Sequence, residues 1–135
     1  MPLIHFIGCG RLGKTIAKLI VQNNLGTIGG IVNQSLTSTT AAIQFIGQGT
    51  AYQALNELPA ADMIFITTID EVVSDVCQQL ATTGLLKNKP IIAHFSGALS
   101  SDALSSAIDC PVASLHPIAS FANPADVVSR FKGVI

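Results

Sequence analysis

Near its N-terminus the chain reads Leu3-Ile4-His5-Phe6-Ile7-Gly8-Cys9-Gly10-Arg11-Leu12-Gly13, a short apolar run followed by three closely spaced glycines. The apolar run predicts a buried β-strand that ends at Gly8. Helical spacing begins directly afterwards, because Leu12, Ile16, Leu19 and Ile20 recur on one helix face. A strand, a glycine loop and a helix in this order indicate the first unit of an α/β domain.

Strand-like and helix-like segments continue to alternate along the rest of the chain. Apolar runs predict further strands over residues 28–33, 50–52, 62–67, 90–95 and 111–116. Helices are predicted over 36–46, in a short piece that ends at Leu58-Pro59, from Asp70 onward, over 101–108, and from Asn123. This order predicts an α/β fold with a doubly wound, mainly parallel sheet in three αβα layers. We expect a single domain over residues 1–135.

Composition narrows the classes of function. Hydrophobic residues make up 49% and charged residues 11% of the chain, which is typical of a packed domain and not of a disordered one. The net charge of −1 gives no basic surplus for nucleic-acid binding, and no apolar run reaches the roughly 20 residues of a membrane span. The scattered cysteines Cys9, Cys77 and Cys110 predict neither disulfides nor a metal site. We therefore expect a cytoplasmic protein without a metal.

The glycine spacing points to a nucleotide cofactor. A G-x-G-x-x-G pattern between a strand and a helix is typical of dinucleotide binding. In it, Gly8 permits the tight turn, Gly10 lets a pyrophosphate approach the backbone, and Gly13 lets helix and strand pack closely. The helix N-terminus then binds the phosphates, so cofactor contacts are expected from Gly8, Cys9, Gly10, Arg11, Leu12 and Gly13. A plain strand-to-helix turn that needs glycine is the structural alternative.

The same stretch also matches the Walker A loop of nucleotide-hydrolysing proteins, Gly8-x4-Gly13-Lys14-Thr15. In that interpretation Lys14 would reach the phosphates and Thr15 would hold magnesium. Such proteins need an acid at a neighbouring strand end, and no acid directly follows the strands predicted over 62–67 and 90–95. The helical pattern also begins before Lys14. The dinucleotide interpretation is therefore favoured over a P-loop NTPase.

The end of the second predicted strand bears on the choice between NAD and NADP. In NAD-binding domains an Asp or Glu about 20 residues after the glycines holds the ribose 2′-hydroxyl. This chain has no charged residue between Lys18 and Glu57, and the strand ends at Asn33, Gln34 and Ser35. These side chains can donate hydrogen bonds to phosphate oxygens without repelling a 2′-phosphate. The sequence favours NADP and leaves NAD open, and a simple polar turn is the alternative.

Further candidates follow the later strands, because ligands of open α/β sheets lie at the carboxyl ends of the strands. Thr67 and Thr68 are expected to line the path of the second ribose or to cap the strand end. Ser96 and Gly97 are expected to face the nicotinamide or to cap the following helix.

Histidine is the side chain suited to proton transfer at neutral pH, and the chain has three. His116 ends a predicted strand just before a proline, which makes it the candidate catalytic proton donor or substrate anchor. A histidine satisfied by the backbone is the alternative at that position. His94 and His5 are interpreted as structural.

Three blocks of sequence resemble one known family. They are residues 8–14, Gly-Cys-Gly-Arg-Leu-Gly-Lys; residues 94–99, His-Phe-Ser-Gly-Ala-Leu; and residues 114–121, Ser-Leu-His-Pro-Ile-Ala-Ser-Phe. The family comprises Rossmann-like NAD(P)-dependent oxidoreductases with a C-terminal helical domain of unknown function. It is similar to pyrroline-5-carboxylate reductase, ketopantoate reductase and 6-phosphogluconate-dehydrogenase-type enzymes. The resemblance covers nearly the whole chain, and residues 131–135 resemble the family's next strand.

The resemblance implies a nicotinamide dinucleotide on the glycine loop and hydride transfer to or from a small carbonyl, imine or reduced counterpart. It places Ser96, Gly97 and His116 at the mouth of the cleft. The family commonly has an arginine where this chain has Gln34. The family's helical domain is absent here, so we expect the N-terminal half of a longer protein that takes a small-molecule substrate and dimerises through that domain. A non-catalytic nucleotide-sensing module of the same fold is the rival function.

Overall fold

Six strands and three α-helices alternate along residues 1–96 and 99–115, the part of the chain that this computed structural model describes. The strands are β1 (Leu3–Ile7), β2 (Thr27–Val32), β3 (Thr50–Ala51), β4 (Met63–Ile66), β5 (Ile91–His94) and β6 (Val112–Ser114). The α-helices are α1 (Arg11–Gln22), α2 (Leu36–Ile46) and α3 (Asp70–Ala81). Single turns of 3-10 helix cover Leu55–Glu57, Leu85–Asn88 and Ser101–Leu104.

The six strands form one parallel sheet in the order β3-β2-β1-β4-β5-β6. This arrangement confirms the predicted doubly wound fold. The chain leaves β1 and β4, which are neighbours, toward opposite faces of the sheet. A crevice therefore opens between their carboxyl ends, and ligands of such sheets bind in that crevice.

Apolar side chains fill the space on both faces of the sheet. On one face α1 and α2 pack through Ile16, Ile20 and Ile46; we call this the α1–α2 layer. On the other face α3 packs through Val73, Cys77 and Leu80, together with the 3-10 turns; we call this the α3 layer. None of the helices in the described ranges is long and apolar enough to cross a membrane.

The strand β2 carries one residue more than its partner β1. Ile4 pairs with Ile28 whereas Phe6 pairs with Ile31, so two residues of β2 oppose one residue of β1. Such an insertion is a β-bulge, which leaves part of the hydrogen-bond ladder unpaired. We call the feature, formed by His5, Gly29 and Gly30, the His5 bulge.

The buried ring of His5 accepts the backbone N–H that the bulge leaves without a strand partner. The Gly30 N–H donates to Nδ1 of His5 over 2.8 Å, and Nε2 of His5 donates to the Pro59 carbonyl over 2.7 Å. One partner is a donor and the other an acceptor, so the ring is neutral with its proton on Nε2. Burial lowers the pKa of His5, and the Pro59 carbonyl partly opposes this effect. The interpretation of His5 as structural is confirmed.

Glycine is required at both bulge positions of β2, because neighbouring side chains occupy the space that a Cβ would need. A Cβ on Gly29 would lie 2.6 Å from Nδ1 of His5. A Cβ on Gly30 would lie 2.9 Å from the Tyr52 ring and would also overlap Leu58.

One predicted helix is wrong. Instead of a helix over 101–108, the chain forms a 3-10 turn over Ser101–Leu104 followed by further turns. The hydroxyl of Ser100 accepts the N–H of Asp102, and Asp109 adopts a positive φ of 65°. The Ser100 contact caps this single turn, whereas the serines after it are weak helix formers and the left-handed backbone of Asp109 does not continue a helix. The helix predicted from Asn123 and the strand-like residues 131–135 lie outside the described residues.

Candidate functional site

The loop between β1 and α1 folds into a tight turn that glycine makes possible. Gly8 has a φ of 77°, which side-chain-bearing residues rarely adopt, and a Cβ there would lie 2.8 Å from the Thr68 Cα. Its N–H donates to the Val32 carbonyl over 2.8 Å, and the Gly10 N–H donates back to the Gly8 carbonyl over 2.8 Å. The helix begins at Arg11, directly after this turn.

Gly10 and Gly13 belong to one motif but have different surroundings. Gly13 is buried, and a Cβ there would lie 2.6 Å from Oγ1 of Thr67. Gly10 is exposed, and a Cβ there would meet no heavy atom within 4 Å. Gly13 therefore permits close packing inside the protein, whereas Gly10 keeps the surface above the loop free.

The start of α1 suits a phosphate group. No side chain caps this helix N-terminus, and its first turn holds no acid. The first N–H groups of a helix have no intrahelical partner and carry positive partial charge, which favours an anion. The one charged side chain in the loop is the exposed Arg11 guanidinium. An open backbone, uncapped N–H groups and a cation together fit the pyrophosphate of a dinucleotide.

Asn33, just after β2, is joined to the glycine loop. Its Oδ1 accepts the N–H of Cys9, and its Nδ2 donates to the Cys9 carbonyl over 3.2 Å. The next residue, Gln34, is exposed. Ser35 caps α2, because its hydroxyl oxygen accepts the Ser38 N–H over 3.2 Å. Asn33 thus contacts the glycine loop, Gln34 is exposed to solvent, and Ser35 caps α2.

Thr67 and Thr68, just after β4, lie under the glycine loop. The buried Thr67 hydroxyl donates to the Gly8 carbonyl over 3.1 Å and also lies 3.4 Å from the Ile7 carbonyl oxygen. Of the two roles predicted for Thr67, these contacts are those of a residue that caps the strand end. The Oγ1 of Thr68 is buried and has no hydrogen-bond partner among the described residues.

An open groove of about 670 Å³ runs along the carboxyl edge of the sheet on the α3 side. It brings together four residues predicted to bind cofactor: Gly8, Asn33, Gln34 and Thr68. Its apolar wall comes from α3 and the turn before β4, through Leu55, Val72 and Val76. The other predicted cofactor contacts in the described part of the chain do not line it: Cys9, Gly10, Arg11, Leu12, Gly13, Ser35, Thr67 and Ser96. An apolar cleft with a few polar groups has the character of a small-molecule site.

The groove's apolar wall was missed as a site in the sequence, although a signal for it exists. Val72 and Val76 are one helical turn apart and fit the inward face of α3. Both are only partly buried in the structure, and they border the groove instead of the centre of the core.

His94 is fully buried and structural, as predicted. Its Nε2 donates to the Ser100 carbonyl over 2.7 Å, and its Nδ1 accepts the Ser96 N–H over 3.1 Å. These bonds close the turn after β5, so the backbone N–H of Ser96 stabilises this turn. Gly97 and His116 lie outside the described residues, and their predicted roles stay predictions.

The two residues that a nucleotide-hydrolysing loop would need are engaged elsewhere. The Lys14 ammonium lies 5.9 Å from the centre of the Phe45 ring on α2. Thr15 is fully buried, and its hydroxyl donates to the Arg11 carbonyl over 2.8 Å. The helix also begins three residues before Lys14. The structure therefore supports rejecting the Walker A interpretation.

The thiol of Cys9, in the glycine loop, is not suited to act as a nucleophile. Cys9 is buried, and burial raises the pKa of its thiol to about 12, against a smaller opposing effect of Lys14. Among the described residues no group of three His, Cys, Asp or Glu side chains could hold a metal ion.

Comparison with known proteins gives one family match. Residues 3–97 match the family described as NADP oxidoreductase, coenzyme F420-dependent. No curated protein matches the chain.

Several solved structures share the fold. A protein described as an NADP oxidoreductase from Bacteroides fragilis superposes with a TM-score of 0.75 at 17% identity, over 89% of this chain and 45% of that one. A pyrroline-5-carboxylate reductase from Coxiella burnetii gives 0.72 at 17% identity, over 88% and 45%. A prephenate dehydrogenase from A. aeolicus, solved with hydroxyphenyl propionate and NAD+, gives 0.69 at 17% identity, over 87% and 42%. The chain thus spans less than half the length of these structures.

Proposed function

This chain belongs to the NADP oxidoreductase, coenzyme F420-dependent family, and from that premise we propose that it is the NADP-binding domain of an oxidoreductase. The observation that carries the proposal is the open backbone at Gly10 beside an uncapped helix N-terminus. A pyrophosphate needs this combination, because it must approach the N–H groups without meeting a side chain.

The residues of the carboxyl edge then have distinct tasks. The first-turn N–H groups of α1 and the Arg11 side chain hold the pyrophosphate. The groove wall formed by Leu55, Val72 and Val76 takes the apolar face of the adenine base. Gln34 and the N-terminus of α2 lie at the end of β2, where the adenosine ribose is recognised in this fold. When bound, the nicotinamide supplies hydride chemistry, and the protein supplies orientation and electrostatics.

A preference for NADP over NAD rests on the end of β2. A carboxylate there would bind the ribose 2′-hydroxyl of NAD and repel a 2′-phosphate. In this chain the exposed Gln34 can donate to a phosphate, and the first turn of α2 contains no acid. The positive end of that helix favours an anion, which agrees with a 2′-phosphate.

The remaining assignments follow from the same premise. The substrate is a small molecule with a carbonyl, an imine or the corresponding reduced carbon, and a second domain completes the pocket and the dimer. His116 donates the proton or anchors the substrate. The protein acts in the cytoplasm.

A titration of the 135-residue chain with NADPH and NADH, followed by cofactor fluorescence, tests the proposal. We expect both to bind, NADPH more tightly. Gly10→Val should abolish binding because its side chain would occupy the pyrophosphate position. Gly47→Ala, at the C-terminus of α2 and far from the loop, is the control that alters a glycine without altering affinity. Normal binding to the Gly10→Val variant would show that the loop is not the cofactor site.

A non-catalytic nucleotide-sensing module is the second candidate. The observation in its favour is that both histidines of the described residues are buried and hydrogen-bonded to the backbone, so neither is free for proton transfer. Turnover of NADPH with a panel of oxo-acids and imines, using the longest native chain, separates an enzyme from a sensor.

A further inference from the structure

The side chain of Asn33 pairs with both hydrogen-bonding groups of Cys9, at the centre of the glycine loop. The Cys9 N–H belongs to the peptide that links it to Gly8, and the Cys9 carbonyl belongs to the peptide that links it to Gly10. One carboxamide therefore fixes the rotation of two successive peptide planes. Those planes determine where the loop presents its backbone to a ligand.

Asn33 reaches Cys9 because of the His5 bulge. Side chains alternate between the faces of a strand, so residues three apart ordinarily face opposite ways. Ile28 and Ile31 nevertheless both pack in the α1–α2 layer, while Val32 packs in the α3 layer. The bulge absorbs the extra residue, so Ile31 and Val32 still pair with Phe6 and Ile7 and face the same layers as those partners. Asn33 follows Val32 directly, and this register brings its carboxamide to the backbone of Cys9.

We propose that Asn33 is a positioning residue for the dinucleotide, and that the His5 bulge, by absorbing the extra residue of β2, keeps Asn33 in register with the glycine loop. This inference rests on the proposed function. A loop held in its binding conformation before the ligand arrives does not have to be ordered on binding, which increases affinity. The predicted direct contact of Asn33 with a phosphate is compatible with this role, because Nδ2 has a second hydrogen to donate.

Two measurements on the full 135-residue chain test the proposal: hydrogen exchange of the Cys9 amide by NMR without cofactor, and the Kd for NADPH. Asn33→Leu should lose the protection of that amide and bind NADPH at least about tenfold more weakly, as for the loss of two neutral hydrogen bonds. Asn33→Asp should keep part of the protection, because its carboxylate still accepts from the N–H. It should also bind NADPH more weakly, because its carboxylate repels the Cys9 carbonyl and, at the end of β2, a 2′-phosphate as well; its affinity for NADH reports the first effect alone.

Asn23→Leu is the matched control. Its carboxamide also donates to a backbone carbonyl, that of Leu19 over 2.8 Å, but at the far end of α1. This variant should lower the Tm without changing Cys9 exchange or NADPH affinity.

A second pair of variants tests the bulge. A glutamine can accept from Gly30 and donate to Pro59 as His5 does, so His5→Gln should retain Cys9 protection and affinity. His5→Leu can do neither and should lose both. Loss of Cys9 protection in His5→Gln, or full protection in a folded His5→Leu variant, would contradict the role of the bulge.

Four results would overturn the proposal. Asn33→Leu could leave both readouts unchanged, or could lose Cys9 protection at full affinity, so that the bond exists but does not position the cofactor. Affinity could fall while Cys9 stays protected, which assigns Asn33 to direct contact alone. Asn23→Leu could weaken binding equally, which assigns the effect to stability. If the unaltered chain binds neither NADPH nor NADH, it is the proposed function that fails, while Cys9 exchange still reports whether Asn33 orders the loop.

Discussion

Gly13 and Gly10 are three residues apart, yet a methyl group has opposite consequences at the two positions. Gly13→Ala would press a Cβ against Oγ1 of Thr67, 2.6 Å away in a buried contact. We expect overpacking of this kind to cost about 1–3 kcal/mol, reduced by the roughly 1 kcal/mol that alanine gains over glycine in a helix. Gly10→Ala meets no such contact; it should lower the free energy of unfolding only by the poorer helix start that alanine provides, less than about 1 kcal/mol, and should weaken NADPH binding.

Urea unfolding and NADPH titration of both variants check this contrast. The Gly13→Ala/Thr67→Ala double variant is the control, because it removes the opposing hydroxyl and should recover part of the loss. Equal stability of the two single variants would contradict the packing role of Gly13.

His5 makes stability depend on pH in a defined direction. Its pKa in the folded protein lies below the ordinary value of 6.5, so the unfolded chain takes up the proton first as the pH falls. The stabilising contribution of neutral His5 is complete above about pH 6.5. It decreases as the pH falls below that value, by at most about 1.4 kcal/mol per pH unit for one proton.

Urea midpoints between pH 5 and pH 7.5 measure this effect, with His5→Gln as the comparison, because glutamine has no proton to gain. The dependence attributable to His5 is the difference between the two curves. Parallel curves would mean that His5 does not titrate differently in the folded and unfolded states.

Among the elements, α1 carries the clearest test against nucleotide hydrolysis. Lys14 and Lys18 both lie near the Phe45 ring, at 5.9 and 5.8 Å, and so join α1 to α2. We expect Lys14→Met to leave NADPH affinity unchanged, and we expect ATP with magnesium not to raise the Tm of the unaltered chain. A thermal-shift experiment measures both, and a rise in Tm with ATP that disappears in Lys14→Met would restore the P-loop interpretation.

The elements also show what sequence patterns can and cannot predict. The bounds of α2 were predictable because Ser35 supplies an N-cap and Gly47 supplies a left-handed C-terminal residue, and both signals are local. The segment over 101–108 was mispredicted because its apolar spacing resembles a helix while its three serines are weak helix formers. Local composition does not reveal which of these effects prevails.

For the whole molecule, the doubly wound parallel sheet could be predicted from the alternation of elements, whereas the strand order that places the glycine loop at the crevice came from the structure. The motif itself could be found because its spacing is short. The pairing of Asn33 with Cys9 could not, because the two residues are 24 positions apart and meet only through the register of β2. The register of a strand depends on how the whole sheet assembles, and the bulge that shifts it here could not be predicted from the sequence alone.

The His5 bulge also determines how β2 responds to a change in chain length. Ile28 and Ile31 face the same layer, so removal of Gly29 or Gly30 would leave them two residues apart, which is the ordinary spacing on one face of a strand. Ile31 would still pair with Phe6 and Val32 with Ile7, and Asn33 would keep its place beside Cys9. A deletion of one glycine should therefore preserve both the sheet and the glycine loop, whereas a deletion anywhere between Ile31 and Asn33 would separate the loop from its partner.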